Sequence, residues 1–244
     1  MEIGSAEWSQ VIVDGAKAFD LDLDHRHIDL FAAHAKELLH WTKATNLTTI
    51  TDSFEVAVKH YVDSLAPVRL ISPGAALLDI GSGGGFPGIP LKVVIPSLDV
   101  TLIDASRKKV NFLKHVIRTL KLEGIEARHI RAEGLTAGAA CVKRFDVIIS
   151  RALTDLESFT RHGLPLLSEE GVMIALKGKL DPTELAKMEA LALEMMNKSN
   201  PNQHSFPVAA KQYELPFTQS QRSIITFRNF FKEGPIFPAL PEIF

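Results

Sequence analysis

Apolar residues recur along this chain with two different periods, and the change of period divides it. Up to about residue 66 the spacing is helical. It holds through 6–19, and Ile28, Phe31, Ala32, Ala35, Leu38, Leu39 and Trp41 form a second stripe. Asp52 and Glu55 stand at capping-box spacing ahead of Val56, Ala57, Tyr61, Val62 and Leu65, which predicts a third helix start. Pro67 and the pair Pro73-Gly74 then break the pattern.

Beyond Gly74 short apolar runs alternate with helical spacing. The strand candidates are 76–80, 99–104, 125–131, 145–150 and 171–176. Between the second and third, 109–121 is amphipathic: Val110, Leu113, Ile117 and Leu120 share one face, with Lys114, Arg118 and Lys121 opposite. This alternation predicts an α/β fold of right-handed βαβ units, a mostly parallel central sheet with helices on both faces. Ligands of such sheets sit at the carboxyl ends of the strands. Segments 205–214 and 223–227 predict a hairpin on the sheet edge. The expected organisation is an N-terminal helical extension (1–66), an α/β domain (67–231) and a Pro-rich tail (232–244) that packs loosely or is disordered.

Composition narrows the class. With 244 residues, 46% of them hydrophobic, the chain can bury a full core. A formal charge of -2 shows no bulk basicity, so any contact with nucleic acid has to come from a local patch. The lone Cys141 excludes a disulfide framework and a Cys-based zinc site. His27, His34 and His40 lack the spacing of a metal site and are read as surface or satisfied residues. With no membrane-length apolar run and no basic-then-apolar start, a cytoplasmic location is expected.

The densest chemical signal is the run from Ala76 to Gly88. An apolar strand carrying Asp79 enters a loop with five glycines in eight positions, Gly81 to Gly88. A second apolar strand ends in Asp104. A glycine loop after one strand and a carboxylate after the next suits an adenosine-containing cofactor. Two cofactors compete. Gly83 to Gly88 fits a dinucleotide fingerprint, with Asp104 on the ribose of NAD. That match starts late, because the turn already begins at Gly81, and Pro87 and Pro90 crowd the helix start that would receive a pyrophosphate. The alternative is S-adenosylmethionine (AdoMet), which has no phosphate but carries a cationic ammonium and sulfonium. Asp79 suits that ligand, and Asp104 would accept from its ribose hydroxyls. Such charge-assisted bonds are worth about 1.5–3 kcal/mol each.

The segment from Leu78 to Leu91 resembles the glucose-inhibited division protein B family, the RsmG methyltransferases of bacteria. So do Asn46-Leu47-Thr48, His60-x-x-Asp63-Ser64-Leu65, Ile149-Ser150-Arg151-Ala152 and Ala175-Leu176-Lys177-Gly178. The resemblance spans about 41–227. It implies a Rossmann-like class I AdoMet-dependent methyltransferase acting on a guanine N7 of 16S rRNA, guanine 527 in the family's reaction name. It implies that Gly81 and Phe86 line the methionine side of the cofactor, that Ala132 and Glu133 flank the adenine, and that Arg151 stands at the cofactor–substrate boundary. Asp79, Gly83, Gly85 and Asp104 complete the expected cofactor set. Arg131, Arg151, Lys177 and Arg222 are the expected RNA contacts. The chain departs from the family at 136–143, a loop insertion, and in its longer C-terminal tail.

The residues agree with that chemistry. Cytosine-C5 methylation needs a catalytic cysteine, and Cys141 has no neighbouring proline. Amine methylation calls for an Asn/Asp-Pro-Pro-aromatic segment where this chain has Ser150-Arg151-Ala152-Leu153. Guanine N7 already has a free lone pair and needs only positioning and exclusion of water, so no general acid or base is assigned. Because N7 methylation makes the ring cationic, Arg151, Lys177 and Arg222 are read as holding phosphates or guanine O6. A basic strip of 107–109, 177–179 and Arg222 is expected to meet RNA within a folded small subunit or its assembly intermediate. His60 and Asp63, on one helix face, are read as bracing the cofactor loop, and Trp41 and Tyr61 as core anchors. The enzyme is expected to be a monomer. An AdoMet-binding regulatory module and an NAD-dependent oxidoreductase remain the other readings at this point.

Overall fold

A computed structural model of the chain describes residues 1–131, 134, 144–151, 155–180, 183, 185–187, 190, 191, 194 and 208–228. Cys141, the 136–143 insertion and the C-terminal tail lie outside them.

Two helices lead the chain, α1 (Ala6–Lys17) and α2 (His25–Thr45). The start of α2 is fixed by Asp24, whose carboxylate accepts from the His27 amide at 3.0 Å while the His27 ring accepts from the Asp24 amide at 3.1 Å. Caps of this kind contribute about 1 kcal/mol. The third helical segment, 53–65, begins as expected with Asp52 accepting from the Glu55 amide at 2.9 Å. Its middle, Val56–Val62, is wound as a π-helix, which the apolar spacing did not reveal.

The sheet follows: β1 (Ala76–Ile80), β2 (Asp99–Asp104), β3 (Ile125–His129), β4 (Phe145–Arg151), β5 (Leu167–Lys177), β6 (Val208–Glu214) and β7 (Gln221–Arg228). The order across the sheet is β3-β2-β1-β4-β5-β7-β6. The first five strands run parallel, and β6 and β7 form an antiparallel hairpin beside β5. Among the described residues, helices α3 (Gly88–Val94), α4 (Arg107–Thr119) and α5 (Leu156–Gly163) flank it. The strand order reverses at β1, with β2 and β3 laid to one side and β4 and β5 to the other, so a crevice opens at the carboxyl ends of β1 and β4.

Strand alternation feeds two cores. Leu77, Val100, Leu102, Val147 and Ile149 point to the face covered by α2, α4 and the 53–65 segment, with Trp8, Phe31 and Tyr61 buried among them. Leu78, Ile80, Ile103, Ile148 and Met173 point to the other, against Leu156 and Phe159 of α5. The N-terminal helices thus share one continuous core with the sheet. In α4 the buried set is Val110, Phe112, Leu113 and Val116, wider than the predicted stripe. The reason is a second neighbour: Phe112 stacks on His34 (6.1 Å) and packs on Trp41 (5.7 Å), both of α2. Tyr61 is fully buried, as expected of a core anchor, whereas Trp41 is half-buried at the margin of the core.

Candidate active site

The glycine loop is hung from β2. The Gly81 and Ser82 amides donate to the Ile103 carbonyl at 2.9 and 3.0 Å, and the Gly85 amide closes a turn on Ser82 O at 2.7 Å. The glycines divide by task. A side chain at Gly84, Gly85 or Gly88 would strike Leu38, Ile89 or Leu102, so these three permit close packing. Gly81 and Gly83 differ. They share positive φ, +75° and +55°, with Gly85 at +92°, but a side chain at Gly81 would enter open space and one at Gly83 would meet only the Gly81 carbonyl at 3.8 Å. Left-handed backbone accounts for glycine at both positions, and it leaves a bare stretch with room for a ligand.

Asp79 lies beneath this loop, fully buried. One carboxylate oxygen accepts from the Gly88 amide at 2.9 Å, tying the loop to the start of α3. The other, Oδ1, is buried with no hydrogen-bond partner among the described residues. Burial raises its pKa to about 7, against the Gly88 hydrogen bond that lowers it. An unpaired buried carboxylate oxygen is costly unless a donor or a cation completes it, and the ammonium of AdoMet is of that chemistry. Asp104 ends β2 nearby. Its two oxygens accept from the Gly83 amide (3.0 Å) and the Ser106 amide (2.7 Å), and each keeps a lone pair for another donor. The residues present therefore fit an adenosyl cofactor with a cationic end. Ala132 and Glu133 lie outside the described residues.

Phe86 closes the loop, and its ring is only 4% exposed. It stacks on His60 (4.5 Å, 13°), lies 5.0 Å from His34, and carries the Arg151 guanidinium 4.9 Å above its centroid. His34, read as a surface or satisfied histidine, proves fully buried, with Nε2 donating to the Gly84 carbonyl at 2.9 Å. Burial lowers its pKa to about 4. His60 braces the loop as expected, through Phe86. Arginine can only donate, so the 3.1 Å contact between Arg151 Nη2 and His60 Nδ1 makes Nδ1 the acceptor. The His60 proton then sits on Nε2, which donates to Thr48 Oγ1 at 2.9 Å. Burial, then the Arg151 charge, lowers the His60 pKa to about 3, so the ring stays neutral and fully engaged.

Arg151 ends β4 and is held from above. Its Nη1 donates to the Lys59 carbonyl at 2.8 Å and lies 3.8 Å from Asp63. Asp63 also accepts from Tyr213 Oη at 2.9 Å and pairs with Arg222 Nε at 3.4 Å. Lys177 ends β5, and β7 brings Ser223 level with it, so Arg222 arrives at the same edge. Together Lys59, His60, Asp63, Arg151, Lys177 and Arg222 wall a cavity of about 270 Å³. Arg131, exposed just past β3, is not brought there: three strand spacings, roughly 14 Å, separate β3 from β4. Sequence reasoning missed His34 and Tyr213. Tyr213 stands opposite Arg222 in the β6–β7 hairpin, a pairing that no local pattern announces. Among the described residues no group of His, Cys, Asp and Glu has the makings of a metal site, and no helix is long and apolar enough to cross a membrane.

A family model described as rRNA small subunit methyltransferase G matches residues 27–213. The chain belongs to that family. The ribosomal RNA small subunit methyltransferase G of Geobacter sulfurreducens is 39% identical over 216 residues, covering 88% of this chain and 95% of the relative. The protein of the same name from Geotalea uraniireducens is 44% identical over 180 residues, covering 73% and 81%. Among solved structures, the O-methyltransferase from Bacillus cereus in complex with SAH aligns with a TM-score of 0.53 at 18% identity, over 80% of this chain and 90% of that one. That likeness is one of fold, and it agrees with the class I methyltransferase architecture expected from the alternating pattern. The family assignment agrees with the resemblance carried by the motifs.

Proposed function

We propose that this chain transfers a methyl group from AdoMet to N7 of a guanine in 16S rRNA, guanine 527 by the family resemblance. One observation carries the reading: the open glycine loop and the cationic cavity share a wall. Phe86 belongs to the loop, Arg151 to the cavity, and the guanidinium lies over the ring.

AdoMet, when bound, supplies an electrophilic methyl on a cationic sulfur. This chain's residues do the rest. The bare backbone of Gly81 and Gly83 lets the cofactor approach closely, Gly85 lets the loop fold onto α3, and Asp104 accepts from the ribose hydroxyls. Asp79, buried beneath the loop, supplies negative charge for the cationic end. Phe86, with its ring enclosed, contributes its backbone and a rigid pedestal. Ala132 and Glu133 are assigned to the adenine on the resemblance alone. Arg151 serves both sides of the boundary, while Lys177 and Arg222, with Arg131 on the opposite flank, hold RNA. No residue is asked to take a proton, because N7 attacks with its own lone pair. That suits a site where His60 has both ring nitrogens engaged and His34 is fully buried, its Nε2 donating to the Gly84 carbonyl. Positioning of reacting atoms and exclusion of water supply the acceleration.

The substrate is a small subunit or an assembly intermediate in the cytoplasm, and the enzyme works as a monomer. Purified protein, labelled AdoMet and unmethylated small subunits test the reading. The expected result is label in 16S rRNA, located at a guanine N7 by mass spectrometry. Absence of label, or label on another atom, overturns it.

A further inference from the structure

The cationic cavity is organised around a single carboxylate. Asp63 is 6% exposed and meets donors from three strands: Tyr213 of β6, Arg222 of β7 and Arg151 of β4. The arginines are treated differently. Arg151 is anchored on both Nη atoms, to the Lys59 carbonyl and His60 Nδ1. Arg222 meets Asp63 through Nε, which leaves its Nη1 and Nη2 for another acceptor. Lys59 is already paired with Glu55. The cavity wall therefore presents two guanidiniums, Arg151 and Arg222, against the one carboxylate of Asp63, a net positive charge at the edge where the strands end.

The nature of the acceptor follows from the reaction. A purine that becomes cationic on methylation is repelled by this wall as the reaction advances. A phosphodiester keeps its negative charge throughout and matches the paired donors of a guanidinium. We propose that Arg222 and Arg151 grip a backbone phosphate beside the target guanine, and that Asp63 is the positioning residue that holds the two guanidiniums in register. Asp63 touches no RNA and acts through the arginines. The inference rests on the rRNA methyltransferase reading.

Salt dependence separates phosphate contacts from base contacts, because only the former release counterions. The affinity of the full-length protein for small subunits is measured by filter binding across a salt series, and kcat at saturating subunit. For Asp63→Asn, which keeps the shape and the Tyr213 hydrogen bond, subunit affinity is expected to fall about tenfold. The log–log salt slope should flatten by about one, and any fall in kcat should come with that change of slope. Arg222→Ala truncates a partly exposed side chain and should flatten the slope by the same amount. It carries the test if Asp63→Asn fails to fold. A wild-type slope in Arg222→Ala overturns the proposal, and so does a fall in kcat at unchanged slope, which would place these residues on the base. If the wild-type protein does not methylate subunits at all, the functional reading fails instead.

Discussion

The two sides of the carboxyl edge are built on opposite plans. Around β1 and β2 the site is backbone and carboxylate: bare glycines, Asp79 and Asp104, all within 26 residues of sequence. Around β4, β5 and β7 it is cationic and assembled from parts as distant as Lys59 and Arg222. The first side suits a small cationic cofactor and the second an anionic polymer. The contrast teaches where specificity lies. A short motif suffices to hold a ligand shared by many enzymes, whereas recognition of one macromolecule draws on the whole fold, including the N-terminal helices that pin Arg151.

The most damaging test of this division is its shared wall. Arg151→Gln removes the cation above Phe86 and the bonds to Lys59 and His60. Methyl transfer should fall at least about 100-fold, the equivalent of some 3 kcal/mol in the barrier. Affinities for both AdoMet and subunits should each drop, by about tenfold. Calorimetry and filter binding on the same preparation decide it. If only one affinity moves, Arg151 belongs to one side and the boundary lies elsewhere. Loss of a buried charge partner also costs about 3–5 kcal/mol of stability, so the melting curve of the variant accompanies the assay.

Asp104→Ala confines the damage to one side. The Gly83 and Ser106 amides lose their acceptor, and on the proposed assignment so does the cofactor ribose. AdoMet affinity should weaken at least tenfold, about 1.4 kcal/mol, in the range of a lost charge-assisted hydrogen bond. Subunit binding in the absence of cofactor should be unchanged. Unchanged AdoMet affinity on titration calorimetry would remove Asp104 from the cofactor set.

The same contrast explains what the sequence disclosed. Strands β1 and β2 were legible to the residue, since Ala76–Ile80 and Asp99–Asp104 are short, mostly apolar runs ended by glycine or a carboxylate. The loop was legible because positive φ and close packing both demand glycine, although only the structure separates Gly81 and Gly83 from the three packing glycines. By contrast, β5 begins at Leu167, four residues before its apolar run: Leu167 pairs with Phe145, and the polar Ser168, Glu169 and Glu170 then cross a register shift before the ladder resumes at Val172. The Asp63 cluster was legible only in part. His60 and Asp63 stood out as a pair three residues apart, but their partners Arg151, Tyr213 and Arg222 come from pairings more than 80 residues away. The burial of His34 followed from α4 packing against α2, a tertiary contact that helical spacing does not encode.

The smallest predicted effect probes the cofactor side from below. The Asp79 carboxyl titrates near 7 in the folded chain, against an ordinary value of 3.8, because burial penalises its charge. Between those two values the native state holds a proton that the unfolded chain has lost. The ligand-free protein should therefore lose stability as pH rises through that window, by linkage. A cationic ligand reverses the preference, since it binds the ionised carboxylate. AdoMet affinity should rise about fivefold from pH 6 to pH 7, following the ionised fraction, and binding should release a proton to buffer below pH 7. Asp79→Asn should abolish this pH slope, make the ligand-free chain more stable than wild type at pH 8, and weaken AdoMet binding. Titrations in buffers of different ionisation enthalpy measure the proton directly. If AdoMet binding is as pH-dependent in Asp79→Asn as in wild type, the buried oxygen is not what meets the cofactor's charge, and Asp79 serves only to hold Gly88.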